Sequence, residues 1–142
     1  MLIFKGTQGN FCYATTQSAA ADLCSQVTVT VYPGQTVKIP TGLWIDPDYT
    51  TLAGATSIPY LEVAPRSGVS LKTKLRVANA PGIVDIDYQD EICVIIDNIG
   101  TEAEQINAGD RVAQISLKYS YRLPNVVVKD KKRKGGFGST GR

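Results

Sequence analysis

The sequence lacks histidine and has only three cysteines among 142 residues. Without imidazole, Ser-His-Asp and Cys-His nucleophiles and histidine-ligated zinc are excluded. Cys12, Cys24 and Cys93 are odd in number and form no Cys-x-x-Cys pair, which argues against a disulfide framework and a structural zinc site. Any catalysis therefore has to use carboxylates, cations or hydroxyls, with or without a hard metal ion.

Long hydrophobic runs are also missing. The longest unbroken apolar run, Ile92–Ile96, is far shorter than the roughly 20 residues that a membrane helix needs. The opening Met1–Phe4 meets Lys5 and then polar residues, so no apolar segment of a signal peptide is present. We expect one domain with no membrane contact, located in the cytoplasm or, in a eukaryotic or viral host, the nucleus.

Apolar residues recur with a period of two, and no window shows helical spacing. Val27–Val31 alternates strictly, Pro33 and Gly34 interrupt it, and Val37–Ile39 resumes the pattern before Pro40. Further strands are expected at Leu61–Val63, Leu75–Val77, Glu91–Ile96, Arg111–Leu117 and Val126–Val128, with a tight turn at Asn107–Asp110 and a long loop at Asp46–Pro59. Turn residues at intervals of roughly 8–15 residues predict an all-β, jelly-roll-like barrel or sandwich with at most one short helix.

Positive charge is concentrated at the C-terminal end. Residues 129–142 have a net charge of +5, whereas residues 1–128 have −3. We therefore divide the chain into a β core (1–128) and a flexible basic, glycine-rich arm (129–142). The arm could be a solvated or nucleic-acid-attracting tail. Its Gly-Gly-Phe-Gly-Ser-Thr-Gly end favours a flap over an anionic ligand that carries an aromatic base, although it lacks the Gly-Lys-Ser/Thr of a P-loop.

Three internal segments are rich in functional residue types. Arg66, Ser67 and Gly68, followed by Lys72, combine a guanidinium, a hydroxyl and an open backbone, which suits phosphate oxygens better than an ordinary polar turn. Four carboxylates crowd residues 85–91 on a predicted β-hairpin, so either one is functional or binds a cation, or the segment is a solvated tip. Gln114, on an apolar strand, needs a partner for its amide.

A fourth segment is a run of small residues that ends in Asp22. Taken alone, this carboxylate is more often a cap of a turn or helix than a ligand.

In order, the segments read Ala-Asp-Leu, Pro-Arg-Ser-Gly, Gly-Ile-Val-Asp-x-Asp-Tyr, Gly-Asp-Arg-Val-Ala-Gln and Gly-Gly-Phe-Gly-Ser-Thr-Gly. This order over residues 18–142 resembles the five motifs of the trimeric deoxyuridine triphosphatases (dUTP pyrophosphatases). The resemblance implies a jelly-roll homotrimer whose interface sites are closed by a neighbour's C-terminal arm. It also implies Mg²⁺-assisted hydrolysis of dUTP to dUMP and pyrophosphate, which limits uracil in DNA and supplies dUMP for thymidylate synthesis.

The resemblance also implies a role for each matching residue. Asp85 would activate the attacking water, and Tyr88 would pack under the deoxyribose. Asp22 would reach Mg²⁺ through a water, the triphosphate holding most of the metal. The main chain and side chains that would read uracil are Asn79, Gly82, Ile83, Val84 and Cys93. The residues that would hold phosphate oxygens are Arg66, Ser67, Gly68, Gln114, Gly138, Ser139 and Thr140, with Phe137 stacking on the base and either Lys132 or Arg133 contacting phosphate.

Three positions depart from the family pattern. Ala20 and Asp90 stand where glycine is usual, and Lys132 stands where arginine is usual, with Arg133 next. A lysine there would lose the bidentate grip on phosphate.

Two other functions remain open at this point. A related dCTP deaminase would need a glutamate beside its serine-rich motif, but Gly68 follows Arg66 and Ser67 here. A non-catalytic trimer that binds a nucleotide or nucleic acid is the other, and Asp85 and Tyr88 argue against it. We expect a small-molecule substrate rather than nucleic acid.

Overall fold

A computed structural model of the chain describes residues 4–6, 11–49 and 55–129. The chain is almost entirely β, with strands that bury alternate residues, as in Ile92–Asn98, where every second side chain is buried. The strands are β1 (Phe4–Gly6), β2 (Ala21–Cys24), β3 (Val29–Val31), β4 (Thr36–Ile45), β5 (Ser57–Ala64), β6 (Leu75–Val77), β7 (Gly82–Asp85), β8 (Ile92–Asn98), β9 (Glu104–Ile106) and β10 (Arg111–Tyr121). One helix, α1 (Ser67–Lys72), follows β5.

The strands form two four-stranded sheets and one two-stranded sheet. Their orders are β1-β4-β8-β6, β2-β10-β5-β7 and β3-β9, and every pairing is antiparallel. Leu23, Leu61, Ile92 and Ile96 are among the buried side chains that fill the space between the sheets. The predicted all-β sandwich with one short helix is confirmed, and the sheets do not close into a barrel. Among the described residues, no helix is long and apolar enough to cross a membrane.

The predicted hairpin at residues 82–91 is wrong. β7 pairs with β5, whereas β8 pairs with β4 and β6 in the other sheet. A turn, in which the N–H of Tyr88 donates to the carbonyl of Asp85 at 3.0 Å, ends β7 and sends the chain across to the second sheet. β7 is the edge strand of its sheet and β6 pairs with Ile96–Asn98 of β8, so among the described residues no ladder joins β7 to residues 92–95 of β8.

Three strand boundaries also differ from the prediction. β4 continues through Pro40, because β1 reaches only to Leu43 and the missing N–H of Pro40 lies outside that pairing. β5 begins at Ser57, inside the predicted loop, because residues 57–59 pair with the end of β10. Val126–Val128 forms no strand and is exposed, since no described strand lies beside it.

Candidate active site

A slot of about 260 Å³ lies between β7 and residues 92–95 of β8, the part of β8 that precedes its pairing with β6. Its lining includes the residues of the β core that are predicted to contact the uracil and the deoxyribose, namely Asn79, Gly82, Ile83, Val84, Tyr88 and Cys93. The carbonyl of Ile95 accepts from the N–H of Ala78 at 2.9 Å. Cys93, two residues away on the same strand, presents its main-chain groups to the same side, which is the side of the slot.

Two side chains fix the shape of the slot. Tyr88 is buried, and its hydroxyl donates to the main-chain carbonyl of Glu91 at 3.0 Å, so the ring is held at one end. At the other end, Gly82 lies against Asn79 and Val63. A methyl group added to it would come within 3.4 Å of Asn79 Nδ2 and 3.2 Å of Val63 Cβ. Glycine at position 82 therefore lets the backbone and the Asn79 amide converge on the same point.

Asp85 lies just outside this slot, at the end of β7. It is exposed and lines a second cleft of about 590 Å³, together with Asp87, Tyr60 and Arg122. Ile83 borders both the slot and this cleft. Asp85 is opposite Tyr60 in the sheet, so both side chains lie on the outer face. A water molecule can therefore reach the carboxylate from the open face of the sheet.

Two of the predicted phosphate residues, Arg66 and Gly68, line a third, cationic cleft of about 430 Å³. Its lining contains Arg66, Gly68, Lys72 and Arg111. Arg66 precedes α1, and Gly68 lies in the first turn of that helix. A methyl group added to Gly68 would meet nothing within 4 Å. The packing of this chain therefore does not require glycine there, and the space in front of the backbone is open to a ligand.

Asp22 orders the cations of this cleft. Its Oδ1 accepts from Arg66 Nε at 2.8 Å and its Oδ2 from Arg111 Nη1 at 3.3 Å. The side chains of Asp22 and Arg66 are 11% and 25% exposed, whereas that of Arg111 is 56% exposed. Arg66 also donates to the Arg111 carbonyl at 3.4 Å. One nearly buried carboxylate thus fixes two guanidiniums whose remaining N–H groups are available to an anion.

Gln114 holds the main chain that leads into the same cleft. Its Nε2 donates to the carbonyl of Pro65 at 2.9 Å, next to Arg66. The partner that the sequence required for this amide is therefore the main chain that leads into α1. In the sheet, Gln114 stands between Asp22 and Ala64, so β10 joins the two segments that form the cleft.

The thiols near these sites are shifted toward their neutral form. Burial raises the pKa of Cys24, with Asp22 raising it further and Arg111 lowering it. Burial also raises the pKa of Cys93, assisted by the charge of Glu91. Neither thiol is therefore a ready nucleophile for hydrolysis.

Comparison with known proteins decides the family. A family model described as dUTPase matches residues 9–141. The chain belongs to the dUTPase family. The deoxyuridine 5'-triphosphate nucleotidohydrolase of Rickettsia akari is 37% identical over 138 residues, which cover 91% of this chain and 86% of that protein.

Two solved dUTPases show the same fold. That of Staphylococcus bacteriophage 80alpha, solved with dUpNHpp, has a TM-score of 0.73 at 20% identity and covers 100% of this chain and 99% of its own. That of phage phi11 of S. aureus, solved to describe a structural Mg(II) ion, has a TM-score of 0.71 at 21% identity, with coverage of 92% and 97%.

Within this dUTPase fold, the slot and the cationic cleft share no lining residue. Ser67 is exposed at the start of α1 and is not part of the cleft lining. The predicted arm residues Lys132, Arg133, Phe137, Gly138, Ser139 and Thr140 lie outside the described residues. One chain thus separates the predicted base contacts from the predicted phosphate contacts.

Arg111 was not among the predicted site residues, although it pairs with Asp22 and lines the cationic cleft. The Gly-Asp-Arg segment contains it, but its role depends on a carboxylate that lies 89 residues away in the sequence. Only the pairing of β2 with β10, which places Arg111 opposite Cys24, brings the two together.

Proposed function

We propose that this chain hydrolyses dUTP to dUMP and pyrophosphate. The observation that supports it is the slot, which is bounded by β7, the edge strand of its sheet, and by the part of β8 that precedes its pairing with β6. A strand edge presents alternating N–H and C=O groups, and the edge of uracil presents the same types of group to pair with them.

The attacking water is assigned to Asp85. Among the described residues near the slot, a carboxylate is the best candidate for a base, because the sequence has no histidine and burial raises the pKa of the Cys93 thiol. The exposed position of Asp85, beyond Ile83 at the mouth of the slot, places it beside the sugar and α-phosphate of a nucleotide whose base enters the slot. In-line attack there releases pyrophosphate as the leaving group.

The triphosphate is assigned to the cationic cleft. Arg66, Arg111 and Lys72 provide positive charge, and the open backbone at Gly68 allows phosphate oxygens to approach its amide. Asp22 holds both arginines in place, so the cleft is preorganised before the ligand arrives.

Mg²⁺ fits this arrangement only if the nucleotide supplies most of its ligands. Among the described residues, no three metal-ligating side chains converge. Each Asp22 oxygen accepts one arginine donor and keeps a lone pair that can accept a hydrogen bond from a metal-bound water. Mg²⁺ usually keeps several waters and binds through substrate phosphates, where it neutralises charge that develops on the phosphate oxygens.

We further propose that the working unit is a homotrimer. Because the slot and the cleft share no lining residue in one chain, we combine the slot of one subunit with the cleft of another in a complete site. Large exposed apolar side chains at and beyond the end of β10 offer a contact surface, namely Tyr119, Tyr121, Leu123, Val126, Val127 and Val128. The arm would then close the shared site, with Phe137 over the base.

A nucleotide panel tests the activity. With Mg²⁺ present, we expect pyrophosphate release from dUTP and far less from dCTP, dTTP or UTP. Asp85→Asn should bind dUTP and lose turnover by several orders of magnitude, because it removes the base and keeps the shape of the side chain. Deamination of dCTP, no release from dUTP, or near-normal turnover of Asp85→Asn would contradict the proposal.

Sedimentation of the same protein tests the assembly. A homotrimer of this 15.3 kDa chain sediments at three times the monomer mass, and a monomer with full activity would exclude the shared site.

A further inference from the structure

Two cysteines meet at the edge of the sheet beside Asp22. The main-chain N–H of Asp22 donates to the carbonyl of Cys12 at 3.0 Å, so Cys12 lies directly across from Asp22. Cys24 is two residues further along β2, and its side chain lies on the same face as that of Asp22. Asp22 and Cys12 both act electrostatically on the Cys24 thiol. Cys12 and Cys24 therefore both lie close to Asp22, one on the segment beside β2 and the other on β2 itself.

The two thiols differ in access. Both are free, Cys12 is exposed, and Cys24 is buried. Cys12 can therefore react first with a reagent in solution, and Cys24 is placed to react second. Cys93 lies on β8 in the other four-stranded sheet and takes no part in this pair.

We propose that Cys12 and Cys24 are an oxidisable thiol pair that closes to a disulfide beside Asp22 and weakens nucleotide binding. The co-reactant is a small-molecule disulfide such as oxidised glutathione. The Cys12 thiol loses its proton to solvent and its sulfur attacks the reagent, releasing one glutathione. The Cys24 thiol then loses its proton and attacks Cys12 Sγ, releasing the second. Two protein thiols are oxidised and one glutathione disulfide is reduced to two thiols.

Closure has a structural consequence for the cationic cleft. A disulfide holds its two Cα atoms about 4.4–6.8 Å apart. The segment at residues 11–18 is mostly exposed, whereas every residue of β2 is buried, so the bond would draw that segment toward β2. The displacement acts on the hydrogen bond to Asp22, whose carboxylate fixes Arg66 and Arg111.

Peptide mapping of the full chain after incubation with oxidised glutathione tests the pair. We expect a Cys12–Cys24 cross-linked peptide that disappears on reduction with dithiothreitol. The Cys93→Ser variant, for which only the peptide masses are measured, should form the same cross-link. The Cys12→Ser variant should form none. Glutathione adducts on Cys12 without the cross-link, or a cross-link to Cys93, would overturn the pair.

The effect on binding rests on the proposed function and is measured separately. We expect oxidation to raise KM for dUTP about tenfold, which corresponds to the loss of about one well-placed contact. Reduction with dithiothreitol should restore the original KM. KM of Cys12→Ser should not respond to the oxidant. An unchanged KM in fully cross-linked protein would refute the effect on binding. Because mapping needs no substrate, a protein inactive on dUTP would count against the proposed function and leave the thiol pair standing.

Discussion

Gly68→Ala should stabilise the fold and damage the enzyme at the same time. The added methyl group meets nothing within 4 Å, and the position lies in the first turn of α1. Alanine is favoured over glycine in helices by up to about 1 kcal/mol, so we expect Tm to rise by about 1–4 °C. The same methyl group would occupy the space where phosphate oxygens approach the backbone. Losing one charge-assisted hydrogen bond, about 1.5–3 kcal/mol, raises KM for dUTP roughly 10- to 150-fold.

Gly34→Ala is the matched control, because it should destabilise the fold and leave KM for dUTP unchanged. Gly34 also has open space around it, but its φ of +74° is a left-handed conformation that costs alanine about 1–2 kcal/mol. It lies in the turn between β3 and β4, away from the slot and the clefts. We expect a lower Tm and an unchanged KM, measured by thermal unfolding and initial rates. An unchanged KM in Gly68→Ala would refute the assignment of the cationic cleft to phosphate.

Three further changes test other parts of the account. Asp22→Asn removes the charge that fixes Arg66 and Arg111. We expect urea denaturation to show a loss of about 2–3 kcal/mol in the free energy of unfolding, and initial rates to show a higher KM for dUTP. Unchanged values of both would contradict the role of Asp22. Tyr88→Ala removes the ring from the slot and should relax discrimination against UTP, measured as the ratio of kcat/KM for dUTP and UTP; an unaltered ratio would move that role elsewhere. Deleting residues 131–142 should leave circular dichroism of the β core unchanged and nearly abolish turnover, whereas near-normal kcat would argue against a closing arm.

The strands were predictable from the sequence, but the partner of β7 was not. Alternation at residues 82–88 marks a strand whichever neighbour it joins, and the short distance to β8 favoured a hairpin. The structure instead pairs Gly82–Asp85 with β5, because Gly82 and Val84 then join Val63 and Leu61 on the inner face of the sheet. The choice of partner strand depends on packing between segments that are distant in sequence, so local sequence patterns do not predict it.

The site was predictable where a motif is one continuous segment. The slot residues that were predicted lie within fifteen positions, Asn79 to Cys93, so the sequence order already placed them together. Arg111 was missed because its partner Asp22 belongs to another strand. For Gln114, an amide on an apolar strand predicts a hydrogen-bond partner, but only the fold identifies that partner as the carbonyl of Pro65.

The most direct test of the central claim, that one site takes its slot and its cationic cleft from different subunits, is activity recovered by mixing two inactive variants. Asp85→Asn disables the slot side and Arg66→Gln disables the cleft side. If each site joins two chains, trimers reassembled from an equal mixture contain intact sites at about one quarter of positions. We therefore expect the mixture to regain about a quarter of wild-type dUTP turnover. A mixture that stays as inactive as either variant alone would contradict the shared site.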